Sequence, residues 1–333
     1  FNAAHAESMC YDSLYEAWVK AHYTSKFYEV TLNHYQNKCD KNKVAELTKE
    51  AMAIFGYVMG EYEYGKDNSK FTVDDKTKII YPNLSSIKGI GDKAVKAMID
   101  ISNTGLDNFI DIYIATQGTN INKTIFEKLI KINYFKKYGA IKQLLKYVEI
   151  VDIWKGTNWQ GKKTLPKTSI DTLGLEISEI EQFATDKIQK GISDKQYKIF
   201  DWKGFVKALC KKVPSDEFDN VRIAAYRYDV LKYADYICPE LDKKYVLVTN
   251  LNTTYSPKFI GYCLNNGSIA ELKIHKAIPR NDKNCKVSYK ELPIQDGDII
   301  YMTNVKKQAK KIKTDNGWEI VPGAFEWWIK DYK

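Results

Sequence analysis

The stretch from 84 to 101, LSSIKGIGDKAVKAMIDI, constrains the fold of this chain more than any other part of the sequence. Its centre, Gly89-Ile90-Gly91, predicts a tight turn, because the two glycines allow positive φ values and a close approach to the backbone. A short apolar helix is predicted up to Lys88, and a second helix is predicted to start at Asp92. One face of this second helix carries the apolar residues Ala94, Val95, Met98 and Ile101.

This spacing is typical of a helix-hairpin-helix, in which Ile90 fills the gap between the two helices. The N–H groups of the turn and the N-terminus of the second helix favour an anion, since the helix dipole is positive there. We therefore predict that the turn binds the phosphate backbone of duplex DNA through Lys88, Gly89, Ile90, Gly91 and Lys93. An ordinary helix pair joined by a glycine turn is the alternative interpretation.

The composition places the chain among globular proteins that contain several domains. Its 333 residues leave room for two or three domains, and 44% hydrophobic and 28% charged residues are typical of a soluble protein. No apolar run approaches the ~18 residues of a membrane span, and no signal peptide is visible. We therefore expect a cytoplasmic protein without a membrane partner. The net charge of +9 permits a nucleic-acid partner without requiring one.

The residues that usually carry catalysis do not form a recognisable constellation. Six scattered cysteines without a C-x-x-C pair, and four histidines without metal-ligand spacing, predict reduced thiols and no metal site. The carboxylates at 74–75 and 296–298 lie in predicted turns. Two-metal phosphoryl transfer requires converging carboxylates, and the sequence offers no convincing trio. The residues therefore favour binding over catalysis.

Helical periodicity dominates the chain as far as residue 153. Three helices are predicted at about 11–23, 24–35 and 43–56, and short β segments at 71–73 and 79–81 precede the hairpin. Later helices at 108–115, 123–132 and 140–153 complete a second helix pair, so a tandem helix-hairpin-helix is predicted. The first helix has an aromatic stripe, which we predict to be core: Tyr11, Leu14, Tyr15, Trp18 and Val19.

The pattern changes twice after residue 153. Residues 154–218 contain helix-breaking glycines and a proline, which predict an insertion or linker with short helices. A connecting helix is predicted at 219–240. From 244 onward, alternating runs joined by Asn266-Gly267 and Asn316-Gly317 predict β-hairpins. We predict an OB-fold in 241–333, with an SH3-like barrel as the alternative.

The expected fold class is therefore α+β, with a mainly helical N-terminal two-thirds and a small C-terminal barrel. The predicted divisions fall at 1–70, 71–153, 154–218, 219–240 and 241–333.

A run of lysines in the predicted barrel is a second candidate for DNA binding. Charge and aromatic stacking together can track a single strand. Lysines that merely solvate an edge strand against aggregation are the alternative. The candidate residues for single-strand binding are Lys258, Phe259, Tyr262, Lys306, Lys307, Lys310, Lys311, Lys313 and Trp318.

Several segments resemble the C-family replicative DNA polymerases, the bacterial DNA polymerase III α subunits. FNAAHAESMCYDSLYEAWVKAHYTSKFYEVTL at the start of the chain is similar to the end of that family's fingers. Residues 41–60, 71–99 and 122–139 resemble the segments that lead to, form and follow its helix-hairpin-helix. Residues 221–241 resemble the helix before its OB domain. The fingers positions that match in register are Phe1, Asn2, His5, Ala6, Ala17, Trp18, Lys20, Ala21, His22, Tyr23 and Phe27.

The resemblance implies the C-terminal portion of a template-directed DNA polymerase. The family's palm, with its metal-binding aspartates and Mg²⁺, would lie N-terminal to this chain, which we therefore expect to be inactive alone. Asn2 and His5 match positions near the incoming nucleotide. The family's Lys, Ser and Tyr in this motif are replaced by Ala3, Ala4 and Met9. These replacements put a standard nucleotide pocket in doubt and indicate a divergent, phage-borne polymerase as one origin.

The expected partners are primer-template DNA, single-stranded DNA and an N-terminal polymerase portion with palm and thumb, with a sliding clamp as a further candidate. We also hypothesise that the start at Phe1, without a methionine, is a natural gene break or intein boundary. Two other functions remain open from the sequence. One is a stand-alone, non-enzymatic DNA-binding module, and the other is a scaffold whose helices merely pack.

Overall fold

A computed structural model describes residues 3–155, 164–166, 176–187, 196–199, 201–215, 218–253, 257–274, 294–314 and 317–333. The contacts divide the chain into two compact units, Phe1–Glu217 and Phe218–Lys333. Across the described part of the chain, no helix is long and apolar enough to cross a membrane.

The first unit begins with three helices, α1 (Ala3–His22), α2 (Thr24–Asn37) and α3 (Lys41–Phe55). A small sheet follows, with β1 (Val58–Met59), β2 (Thr72–Asp74) and β3 (Ile79–Tyr81) in the order β1-β3-β2. Helices α2 and α3 and this sheet bury one common core, which contains Tyr28, Leu32, Val44, Leu47, Ala51, Tyr57, Phe71, Val73 and Ile80.

Helix α1 differs from the sequence prediction, because its aromatic stripe is not core. Tyr11, Leu14, Tyr15 and Trp18 are all exposed, and the exposed fraction of Tyr15 is 68%. Among the described residues, none of α1 is buried. Helical spacing shows that one face is apolar, but it does not show what covers that face.

The hairpin region forms four helices, α4 (Asp92–Ser102), α5 (Phe109–Ala115), α6 (Lys123–Lys131) and α7 (Ile141–Lys155). A 3-10 turn at Leu84–Ser86 stands where the sequence predicts a short helix, and a second 3-10 turn spans Lys136–Tyr138. Ala94, Val95, Met98 and Ile101 of α4 are buried as predicted. Beneath the helices, the rings of Phe109 and Phe126 lie 5.6 Å apart and those of Phe126 and Phe135 lie 4.9 Å apart.

The described parts of 154–217 include a three-stranded sheet that the sequence pattern does not reveal. Its strands are β4 (Thr164–Pro166), β5 (Ala184–Lys187) and β6 (Gln196–Ile199), in the order β4-β6-β5. Two helices accompany it, α8 (Ile177–Glu181) and α9 (Trp202–Lys212). Helix α9 packs on α7, where the rings of Phe205 and Trp154 lie 4.8 Å apart.

The second unit is a closed five-stranded barrel preceded by helix α10 (Asn220–Leu231). Its strands are β7 (Tyr245–Asn252), β8 (Lys258–Cys263), β9 (Ile269–Ile274), β10 (Ile299–Thr314) and β11 (Gly317–Tyr332). They follow the order β10-β11-β9-β8-β7, in which β9 and β11 are parallel and the other pairs antiparallel. The mainly helical part followed by a barrel consistent with an OB-fold confirms the predicted fold class.

Strands β10 and β11 are much longer than the barrel requires. Strand β10 pairs with β7 only over Ile299–Tyr301, and β11 pairs with β9 only over Trp327–Ile329. The two strands pair with each other as far as Thr314 and Gly317. Residues 306–314 and 317–328 therefore form a two-stranded ribbon that extends beyond the barrel.

Candidate nucleic-acid interface

The turn between the 3-10 segment and α4 is built on one left-handed glycine rather than two. Gly89 has a φ of +87°, whereas Gly91 is extended, with a φ of −100° and a ψ of 167°. The prediction of a positive φ is therefore wrong for Gly91. Ile90 is buried, with 4% of its surface exposed, and its N–H donates to the Ile87 carbonyl at 3.0 Å. The side chain of Ile90 thus anchors the turn while both glycines stay at the surface.

Gly91 is the N-cap of α4 and has no side chain that could accept a hydrogen bond from this helix end. The first N–H groups of a helix lack partners within the helix, so an anion can satisfy them. Around this end, Lys88, Lys93 and Lys96 are exposed and outnumber the acidic Asp92 of the first turn. The local charge and the helix dipole therefore both favour a phosphate.

The next helix pair is less suited to this role. The N-terminus of α6 is capped by Asn122, whose side-chain oxygen accepts a hydrogen bond from the Ile125 N–H at 2.9 Å. An occupied cap leaves fewer free donors for a ligand. The α4 end is therefore the better anion site of the two.

Lys128 of α6 is a site residue that the sequence prediction missed. Its Nζ donates to the Lys88 carbonyl at 2.6 Å. A Cβ atom on Gly89 would lie 2.9 Å from the same Nζ. Lys128 therefore adds an ammonium group to the turn. Gly89 is needed for its positive φ, and a side chain there would also displace the Nζ of Lys128. The sequence holds no local signal for this contact, because the two residues are far apart in the chain and meet only through tertiary packing.

Two of the aromatic residues predicted to stack on a single strand are buried. Phe259 is 1% exposed within the barrel core, and Tyr262 is 4% exposed beneath α10. Neither ring can reach a base, so the prediction of a stacking surface at these two residues is wrong. Lys258 lies at the barrel surface and pairs with Glu271 at 3.0 Å.

The other single-strand candidates lie on the ribbon and are exposed. All five lysines between 306 and 313 are exposed, and Trp318 is 70% exposed. Residues directly opposite each other in an antiparallel pair share one face, and alternate residues of a strand share it too. The pair Lys307–Trp327 therefore shares one face, and so do the pairs Lys311–Ile320 and Lys313–Trp318. The register shifts between Ala309 and Lys311, where residues 321–324 of β11 form a bulge opposite Lys310. Because the extra residues lie in β11, alternation along β10 places Lys307, Lys311 and Lys313 on the same face.

Phe325 belongs to the same face, since it pairs with Ala309. The Lys307 Nζ lies 4.0 Å from the centroid of the Phe325 ring and 5.7 Å from that of Trp327. Phe325 and Trp327 are exposed site residues that the sequence prediction did not include. Together these side chains form the lysine-aromatic face: Lys307, Lys311, Lys313, Trp318, Phe325 and Trp327.

Comparison with known proteins connects this geometry to a family. A family model described as a helix-hairpin-helix motif matches residues 66–145, which include the turn and helices α4 to α6. The DNA polymerase III subunit alpha of Aquifex aeolicus is 29% identical over 200 residues, covering 58% of this chain and 16% of that protein. The chain is homologous to the C-terminal region of DNA polymerase III α subunits. The resemblance drawn from the sequence is thereby confirmed.

Two other polymerase III α subunits show the same partial match. The protein of Mycoplasma pneumoniae is 34% identical over 125 residues, covering 38% of this chain and 14% of that subunit. The protein of Escherichia coli K12 is 26% identical over 141 residues, covering 42% of this chain and 12% of that subunit. The chain thus matches about a sixth or less of the length of these relatives.

Of the two nucleotide-pocket candidates, the structure describes His5. Asn2 lies outside the described residues, whereas His5 is an exposed residue of α1. No group of three or more histidine, cysteine, aspartate or glutamate side chains in the described part of the chain is arranged to hold a metal. The roles of Asn2 and His5 stay predictions.

Changing Lys128 to glutamine should weaken duplex binding several-fold, because it removes one ammonium group from the turn. The slope of log affinity against log salt should become shallower by about 1, as expected when one phosphate is no longer neutralised. Fluorescence anisotropy with a labelled duplex at several salt concentrations measures both quantities. Lys76→Gln is the matched control, since Lys76 is exposed in the β2–β3 turn of the same unit. Equal salt slopes for the two variants would show that Lys128 does not contact the duplex.

Proposed function

We propose that this chain is the part of a template-directed DNA polymerase that binds the primer-template duplex and the single-stranded template. The observation that carries the proposal is the exposed turn at the uncapped N-terminus of α4. Lys88, Lys93 and Lys128 surround this turn, and homology to DNA polymerase III α subunits supports DNA as the ligand. The duplex is the proposed ligand of the first unit.

The shape of the turn supports close contact with a backbone phosphate. Apart from the adjacent residues, a Cβ atom on Gly91 would meet no described atom within 4 Å, so the described structure leaves space beside the start of α4. A phosphate oxygen in that space would accept hydrogen bonds from backbone N–H groups, which is the usual mode at a helix N-terminus. Such contacts read the backbone rather than the bases. This mode suits a polymerase, which must hold a duplex of any sequence.

The lysine-aromatic face is the proposed site for the single strand. Bases of any sequence stack on aromatic rings, and lysines neutralise the phosphates between them. Protection of an edge strand requires charge alone. Exposed Trp318, Phe325 and Trp327 add apolar surface and would raise the tendency to aggregate. The rings therefore favour a binding role over edge protection.

We place catalysis outside this chain. The described residues offer no cluster that fits a catalytic Mg²⁺, and two-metal phosphoryl transfer depends on converging carboxylates. Mg²⁺ and the palm would then belong to an N-terminal polymerase portion, and a sliding clamp is a further proposed partner. The expected location is the cytoplasm, where the DNA of a bacterium or phage is replicated.

Primer extension tests the enzymatic part of the proposal. The chain alone should incorporate no nucleotide, whereas adding the N-terminal polymerase portion from the same genome, made as a separate polypeptide, should increase the length of the products. The control is the N-terminal portion alone, which should add fewer nucleotides to the primer per binding event because it lacks the duplex-binding site. Incorporation by this chain alone would contradict the proposal. Equal product lengths with and without the chain would favour a stand-alone DNA-binding module.

A further inference from the structure

Helix α1 carries an apolar face that the rest of the described chain leaves uncovered. Tyr11, Leu14, Tyr15 and Trp18 recur at helical spacing and are all exposed. With 20 residues, α1 is about 30 Å long. A contiguous exposed face of this kind is unusual for a surface that meets only water.

The attachment of α1 to its own unit leaves this face free. Lys20 contacts Glu50 of α3, and its Nζ lies 5.4 Å from the Phe27 ring centroid and 5.7 Å from that of Tyr28. Since successive helical residues are rotated by about 100°, Lys20 points roughly opposite to Trp18. The helix is therefore held through the side of Lys20, while the aromatic stripe faces away from its own unit.

The aromatic rings near the C-terminal end of α1 are already arranged with respect to one another. The Trp18 ring stacks on His22, with centroids 4.5 Å apart, and on Tyr15 at 6.4 Å. The edge of Tyr23 completes the group, with its centroid 5.8 Å from that of Trp18. Rings that are ordered before binding lose less conformational entropy when a partner covers them. Tyrosine and tryptophan are also the residues that most often dominate protein interfaces.

The charges of α1 indicate which kind of partner can bind to this face. Glu7, Asp12 and Glu16 are acidic, and Lys20 is already occupied by Glu50. Acidic side chains repel the phosphates of DNA. They also oppose a second copy of α1, because a two-fold interface would place one negatively charged helix against another. The remaining occupant is a polypeptide that is apolar in the middle and basic at its edges.

We infer that the α1 stripe docks on the N-terminal polymerase portion, in an apolar groove bordered by lysine or arginine. The inference rests on the proposed function and deepens it by naming the surface through which the partner binds. The relatives support this occupant, because the Aquifex aeolicus subunit contains far more polypeptide than the 16% that matches this chain. In those relatives, the matching segment and the remainder belong to one protein.

A binding experiment with the full chain tests the inference. The N-terminal polymerase portion from the same genome is produced as a separate polypeptide, and sedimentation velocity measures its affinity for this chain. The double substitution Leu14→Glu and Tyr15→Glu should weaken binding by at least about tenfold, since it places charge where buried anchors are required. Both residues are exposed and glutamate favours helices, so circular dichroism of the variant alone should be unchanged.

The matched control is Ala6→Glu with Cys10→Glu, which adds two carboxylates at exposed positions of α1 outside the stripe and far from Lys20. This variant should bind within about twofold of the unchanged chain, because its charges lie at the edge of the interface or beyond it. Equal losses in the two variants, or no association at all, would overturn the inference. So would a dimer of this chain that Leu14→Glu abolishes, or duplex binding by the chain alone that depends on the stripe. Duplex binding at Gly91 is measured with this chain alone. Its result therefore tests the proposed duplex site separately from the docking of α1 on the partner.

Discussion

Replacing Gly91 by leucine should weaken the binding of a short DNA duplex by at least about tenfold, which is about 1.4 kcal/mol, while the fold stays intact. The φ of −100° is available to any residue, and apart from the adjacent residues no described atom lies within 4 Å of the new Cβ. The leucine side chain would instead occupy the space into which the proposed phosphate must come. Fluorescence anisotropy with a labelled duplex measures the affinity, and thermal unfolding followed by circular dichroism checks the fold.

The corresponding change at Gly89 cannot separate folding from binding. A side chain there is strained at a φ of +87° and meets the Nζ of Lys128, so a lower affinity could simply report a disturbed turn. Gly91→Ala provides the graded comparison, since a smaller side chain should cause a smaller decrease in affinity. Asn103→Leu is the control, because it places an equal apolar side chain at the exposed C-terminal end of α4. Unchanged duplex affinity in Gly91→Leu would mean that no ligand approaches this turn.

The hairpin shows which structural features the local sequence pattern can predict. The buried face of α4 and the plug at Ile90 follow from spacing alone, because a helix in contact with its neighbour repeats apolar residues at fixed intervals. The conformation of Gly91 does not follow, since glycine accepts both signs of φ. Nor does Lys128, which reaches the turn only through the packing of α6. The motif was thus predictable, but its full set of charges was not.

Phe259 and Tyr262 show a second limit of the sequence pattern, which does not reveal which other elements pack over a given face. Both are candidates for single-strand binding by sequence, yet at three positions apart they point to opposite faces of β8. Phe259 does enter the barrel core, but the opposite face, with Tyr262, is covered by Ala224 and Tyr228 of α10. On α1 the reverse holds, because an apolar stripe predicted to be core has no cover within the described part of its unit. Periodicity identifies the face of an element, whereas burial depends on what packs against it.

Removing the rings of the lysine-aromatic face should weaken single-strand binding more than any change on the barrel itself. Each base stacked on an aromatic ring contributes about 1–3 kcal/mol, so Trp318→Ala and Phe325→Ala should each weaken the binding of an oligo(dT) strand by about fivefold or more. Both side chains are exposed, so the barrel should unfold at an unchanged temperature. The remaining tryptophan fluorescence, or anisotropy of a labelled strand, measures the affinity.

The lysines provide a test that keeps the net charge constant between variants. Lys311 and Lys313 lie on the lysine-aromatic face, whereas Lys306 and Lys310 alternate with them and lie on the other face of β10. Changing the first pair to glutamine should lower the affinity and reduce the salt slope by about 0.7 for each phosphate that is no longer neutralised. Changing the second pair removes the same charge and should affect binding much less. If both double variants lose the same affinity, the strand is attracted by overall charge and does not stack on this face. A strand that stacks on the rings would contact Lys311 and Lys313 but not Lys306 and Lys310.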